Sequence, residues 1–191
     1  MTTQTHPSRP MYLTAGNFPS AAANCIQVAK MACAYSKLLP DMEVVALSGL
    51  GGPRNTDQEQ IKQFFGLTEP LRITRLPLLP IRTPRFFDKN YRPPRWFYSL
   101  VGLYALWRHS DLAFTRKPET ALITVRFGIP TILETHLPWE KMRHIHRHLP
   151  TLIRPALKAL VVVTEPLAVS FQSAGFPTER ILIEPDGVDL E

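Results

Sequence analysis

Two side chains in the segment TILETH, Glu134 and His136, are spaced to act together. A spacing of two on an extended strand puts both on one face, so the carboxylate lies beside the imidazole. Such a pair can orient the ring, contact sugar hydroxyls or move a proton, although an ordinary strand-end pair has the same spacing. Gly16-Asn17, in the stretch TAGNFPSAA, is the next candidate. Glycine frees the backbone there, and the amides opening the following helix would attract an anion; a tight connection explains the same residues. Three histidines occur in RHIHRH (143–148), with His144 and His148 four apart. No third ligand is evident and arginines flank them, so a solvated basic face is expected and no metal site.

The absent motifs narrow the chemistry. A dinucleotide fingerprint G-x-G-x-x-G, a P-loop and a nucleophile elbow G-x-S-x-G are all missing. Dinucleotide binding, NTP hydrolysis and serine hydrolysis therefore lose their main supports.

These residues need a scaffold, and the chain alternates short apolar runs with helical stretches. Strands are predicted at 11–16, 43–48, 71–76, 112–116, 131–136, 160–165 and 180–185. Helices are predicted at 19–39, 56–66, 96–109, 118–127, 138–158 (interrupted near Pro150 and Pro155) and 166–174. In the first helix Ser20 is the expected N-cap, and Ile26, Ala29, Cys33 and Leu38 the apolar face. Gly66 and Gly175 are expected stops. Strands separated by helices imply parallel βαβ units, and runs such as LVVVT are apolar on both faces. The expected fold is therefore α/β, a doubly wound, mostly parallel Rossmann-like sheet with helices on both faces. Ligands of such sheets bind beyond the carboxyl ends of the strands. That rule gathers Gly16, Asn17, Arg116, Glu134, His136, Glu165 and Asp186.

With 191 residues and a net charge of +6, the chain suits one sizeable domain with an anionic partner. Cys25 and Cys33, about 12 Å apart along a helix, cannot form a disulfide and read as buried small apolar residues. No run reaches the roughly 20 apolar residues of a membrane span. The stretch 81–109 mixes arginines with aromatics. It reads either as a core helix with exposed arginines or as a segment lying on an anionic membrane surface. No nucleic-acid-binding motif accompanies it.

The ordered series DLAFTRKPETA (111–121), GIPTILETH (128–136) and LVVVTEPLAVSFQSAGFPTERILIEPDGVDLE (160–191) resembles the N-terminal half of the GT-B glycosyltransferases of family 4. Its elements are a strand ending in Thr115-Arg116, an E-x-H strand end at Glu134 and His136, a V-V-T strand, and a hinge of the type D-G-V-D from Asp186. The resemblance implies one half of a GT-B fold: a lead over 1–9, an acceptor-side domain over 10–185 and an interdomain hinge from 186. It implies transfer of a sugar, with retention, from a nucleotide-sugar donor to a carbohydrate or lipid-linked acceptor. Gly16 and Asn17 would approach the donor phosphates, and His136 would contact the transferred sugar. Arg116 and Glu134 would line the acceptor side, and no tightly bound cofactor or metal is implied. The donor-binding domain is expected to follow the hinge, so residues 1–191 alone are expected to transfer no sugar at a useful rate. The alternative is a non-catalytic acceptor-binding or membrane-docking subunit that needs a separate donor-binding chain. A cytoplasmic protein, peripheral to a membrane through 81–109, fits either reading.

Overall fold

The computed structural model describes residues 9–19, 21–48, 57–77 and 96–185. Seven parallel strands form one sheet: β1 (Pro10–Asn17), β2 (Glu43–Ser48), β3 (Arg72–Pro77), β4 (Leu112–Thr115), β5 (Thr131–Thr135), β6 (Leu157–Val162) and β7 (Ile181–Ile183). Their order is β3-β2-β1-β4-β5-β6-β7. The α-helices are α1 (Ala23–Ser36), α2 (Gln58–Phe65), α3 (Trp96–Trp107), α4 (Pro118–Arg126), α5 (Leu149–Leu152) and α6 (Glu165–Ser173). The expected doubly wound, parallel Rossmann-like sheet is the one observed.

Three clusters divide the core between the two faces. On the first face, α1 and α2 bury Cys25, Val28, Ala29, Ala32, Ile61 and Phe65 against Tyr12, Val44, Ala46 and Phe114. On the second, Phe97, Val101 and Ala105 of α3 cover Met11, Leu13, Val45 and Ala113. Further along that face, α4 to α6 cover Leu133, Leu157, Leu160 and Val162, with Trp139 and Phe171 filling the middle. Burial of such side chains, each contributing about 1.5–3 kcal/mol, holds the layers together. Both cysteines are buried within α1 and are not joined in a disulfide. Among the described residues, no helix is long and apolar enough to cross a membrane.

Several boundaries differ from the sequence expectation for local reasons. Helix α1 begins at Ala23, and Ala22 occupies its cap position without a side-chain bond. Phe18 is drawn under Phe65, with ring centroids 5.3 Å apart, so the chain is still turning there. The expected cap Ser20 lies outside the described residues. The buried stripe of α1 runs through Cys25, Val28, Ala29, Ala32 and Cys33. Ile26 and Leu38, expected on it, are exposed by 37% and 80%. Helix α2 follows its prediction, capped by Asp57 and closed by Gly66 in the left-handed region at φ 61°.

The predicted helix over 138–158 is broken. Trp139–Lys141 and Arg143–His148 are 3-10 turns, and α5 lasts four residues. Pro150 removes an amide and restrains its neighbour, and Pro155 follows one turn later. The strand after it therefore starts early, at Leu157, and ends at Val162 rather than 165. The last strand spans 181–183 rather than 180–185. The loop 49–55, most of 77–95 and the hinge from Asp186 lie outside the described residues.

Helices α3 and α4 touch through a glycine. A Cβ on Gly102 would lie 2.9 Å from Ile123 Cβ and 3.2 Å from the Thr120 carbonyl oxygen. Gly102→Val should therefore force the helices apart and cost about 1–3 kcal/mol, as for other overpacked contacts. Urea denaturation measures the loss, and unchanged stability would refute this account of the contact.

Candidate functional site

At the carboxyl ends of β4 and β5, two threonines set the chain direction. Thr115, the last residue of β4, donates to the Leu13 carbonyl (3.0 Å) and accepts from the Lys117 amide (3.1 Å). Thr135, the last residue of β5, accepts from the Leu137 amide at 3.2 Å. Each hydroxyl ties a short turn two residues long, the local bonding that threonine favours. Between each threonine and the amide it binds sits one candidate residue: Arg116 in the first turn, His136 in the second.

These turns bring three of the expected residues together. Arg116 Nε forms an ion pair with Glu134 Oε1 at 3.2 Å, and His136 Nε2 lies 2.9 Å from the same oxygen. The Arg116 guanidinium also meets His136 Nε2 and the Gln27 side-chain oxygen of α1. Side-chain exposure is 18% for Arg116, 13% for Glu134 and 29% for His136. One carboxylate oxygen is thus shared by a guanidinium and an imidazole in a largely desolvated corner. Charge-assisted bonds of this kind are short, strong and directional. His136 Nε2 faces both a donor and an acceptor, so its role changes with protonation: the neutral nitrogen accepts from Arg116, and the protonated one donates to Glu134.

Beside this cluster opens a cavity of about 440 Å³ on the first face of the sheet. Tyr12, Phe114, Ile132 and Ala159 lie in register across β1, β4, β5 and β6 and form its floor. Gln27, Met31 and Tyr35 of α1 form one wall, and Leu182 and Glu184 form the other. Tyr35 stacks on Phe114 with centroids 4.5 Å apart. Burial raises the ionisation of the Tyr12 phenol far above its ordinary range, and Glu134 adds to this while Arg116 opposes it. The Tyr35 phenol is raised too, by burial and then by Glu134 and Glu184. Both phenols therefore stay protonated and can donate into a space edged by two carboxylates.

The other expected site residues fall elsewhere. Gly16 and Asn17 belong to β1 rather than to a loop, with Asn17 in register with Leu47 of β2, so the turn starts at Phe18. Glu165 is not at a strand end; it opens α6, exposed and outside the cavity lining, because β6 stops three residues earlier. Asp186 lies outside the described residues. The histidine run divides among separate partners. His144 bonds Glu119 (2.8 Å), His146 bonds the Trp139 carbonyl (2.8 Å) and lies on the Trp139 ring, and His148 accepts from Arg147. Among the described residues, no group of three His, Cys, Asp or Glu side chains could hold a metal ion.

Sequence reasoning missed Tyr12, Gln27, Tyr35 and Glu184. Tyr12 and Thr14 precede Gly16 with strand alternation, and Gln27, Met31 and Tyr35 recur at helical spacing. Those patterns assign each residue to a face, but not to the shared cavity.

No family profile matches the chain, and no curated protein matches it. Solved structures do match in fold. HepE of Anabaena, in complex with UDP and glucose, aligns over 95% of this chain and 45% of its own length at 11% identity, with a TM-score of 0.59. The same protein with UDP-glucose gives 0.53 at 13% identity. UDP-N-acetylglucosamine 2-epimerase from Rickettsia bellii gives 0.54 at 11% identity, over 92% of this chain and 44% of the other. The chain spans less than half the length of these proteins. At such identities the likeness is one of fold, a Rossmann-like sheet shared with UDP-binding and UDP-sugar enzymes.

The two phenols make alkaline stability a test of the cavity. A phenol whose folded pKa is raised contributes fully below its unfolded value of about 10, and loses that contribution as pH rises toward the folded value. Stability should thus fall above pH about 10, and Tyr12→Phe with Tyr35→Phe should flatten that fall. Denaturant midpoints measured across this range decide; an equally steep loss in the double variant would rule the explanation out.

Proposed function

We propose that this chain is the acceptor-side half of a glycosyltransferase that moves a sugar from a nucleotide-sugar donor to an acceptor hydroxyl. The observation that carries the proposal is the Arg116–Glu134–His136 cluster, set at the carboxyl ends of adjacent parallel strands where such sheets bind ligands. Its fold is shared with proteins solved with UDP, glucose or UDP-glucose. Resemblance of the T-R, E-x-H and D-G-V-D elements to family 4 supports transfer with retention.

In this reading the bond from the anomeric carbon to the donor phosphate breaks and the nucleotide leaves with the electron pair. The acceptor oxygen bonds the anomeric carbon and passes its proton to the departing phosphate oxygen. His136, oriented by Glu134, hydrogen-bonds the transferred sugar, and Arg116 holds the carboxylate in place and offers positive charge to the acceptor side. Gly16 and Asn17, at the neighbouring end of β1, face the donor phosphates. The nucleotide sugar is a co-substrate, and a second domain supplies most of its contacts.

Two measurements test this. In a protein joining residues 1–191 to a donor-binding domain, His136→Ala should lower kcat about 100-fold or more, as loss of a positioned polar group does. Arg116→Gln should chiefly raise the KM for acceptor. Full kcat in the His136 variant would sink the assignment. For residues 1–191 alone, transfer should be undetectable while a nucleotide sugar still perturbs the His136 ring resonances; transfer at full rate would overturn the half-enzyme reading.

A further inference from the structure

The pole of the sheet opposite the cluster carries a different surface. Helices α3 and α4 lie side by side and run the same way. Thr120 donates to the Tyr98 carbonyl, Lys117 sits 5.2 Å over the Tyr98 ring, and Gly102 meets Ile123 one turn further on. Each helix then delivers its strand at the strand's amino end, so Trp107 and Phe127 both emerge at that pole. Trp107 is 69% exposed, Phe127 52% and Leu103, one turn before Trp107, 43%. Large apolar side chains grouped in this way mark an interaction site rather than ordinary surface.

Arginines surround them. The Arg108 guanidinium lies 5.8 Å over the Trp107 ring. Arg126 precedes Phe127, and Arg154 reaches the Arg126 carbonyl oxygen at 3.5 Å; both arginines are exposed. The stretches around this corner, 96–110, 120–130 and 149–159, contain no Asp or Glu. Of the acids at this pole, Asp111 accepts from the Arg9 amide at 3.1 Å, Asp41 pairs with Arg72 at 2.9 Å, and Glu43 lines a cavity that Arg108 also borders. Indole and phenyl rings framed by guanidinium groups match the water–bilayer boundary, where rings enter the headgroup region and cations meet lipid phosphates. Protein partners would leave three guanidiniums in search of carboxylates, and a strand of nucleic acid would lack a groove to follow.

We propose that the corner formed by Leu103, Trp107 and Phe127 with Arg108, Arg126 and Arg154 docks the chain on an anionic phospholipid surface. The site lies at the ends of α3 and α4, its α3 side within the described part of the 81–109 stretch.

Co-sedimentation of the 191-residue chain with vesicles of phosphatidylcholine, alone or mixed equally with phosphatidylglycerol, tests the proposal. The chain should pellet with the anionic vesicles, less so as salt rises, and stay in solution with the neutral ones. Arg126→Gln and Arg154→Gln should each weaken partitioning about fivefold. Trp107→Ala with Phe127→Ala should remove the binding that survives high salt. Leu38→Ala, in the turn after α1, serves as an apolar control that leaves partitioning unchanged. A blue shift of tryptophan emission on binding should vanish in Trp107→Phe. Anionic binding that persists unchanged in the aromatic variant, or equal binding to neutral vesicles, would overturn the proposal, as would a single-stranded oligonucleotide that binds in preference to the vesicles.

Discussion

A carboxylate set on the apolar face of a sheet has to be compensated, and Glu134 is that carboxylate. It is 13% exposed, above a floor of Tyr12, Phe114 and Ile132. Left alone there, a charge would cost several kcal/mol, about as much as breaking a buried pair. The surroundings supply what it needs. Arg116 arrives from the neighbouring strand, His136 from its own, and Gln27 of α1 fixes the far side of the guanidinium. The position of α1, the register of β4 on β5 and the two threonine turns all serve this one arrangement.

Because both turns are made by hydroxyls at strand ends, the cluster is carried by the sheet and not by a free loop. Sites on regular elements hold their geometry more closely than sites on mobile connections. The same carboxylate reaches the rest of the cavity through charge. Burial raises the phenols of Tyr12 and Tyr35, and this carboxylate adds to that, keeping them as donors. A ligand entering the cavity would therefore meet one phenol donor on the floor, another on the α1 wall, and acceptors at the rim, a pattern suited to hydroxyl-rich molecules.

Much of this was legible before the structure. Both-face apolar runs such as LVVVT and the alternation of strand and helix identify a covered parallel sheet, and E-x-H spacing alone puts Glu134 and His136 on one face. The misplaced parts share a cause, competition between local signals and tertiary packing. Trp139 and Phe18 are pulled into the core and displace the elements around them. Pro150 and Pro155 break a segment that is otherwise helical in composition, which moves β6 and strands Glu165 in a helix. Gln27 joining Arg116 across 89 positions is a product of α1 crossing the sheet, and no local pattern encodes it.

The far wall of the cavity rests on β7, three residues at the edge of the sheet. Leu182 and Ile183 are exposed by 47% and 39%, and among the described residues pairing comes from β6 alone. An element with so little burial sits at the low end of the scale of local unfolding free energies. Its amides should exchange with solvent well before those of β1 or β5. Leu182 and Glu184 leave with it whenever it opens, so the cavity has one rigid wall and one that breathes. Anything that occupies the cavity also orders the strand, and the affinity it shows is reduced by the fraction of time that wall is down.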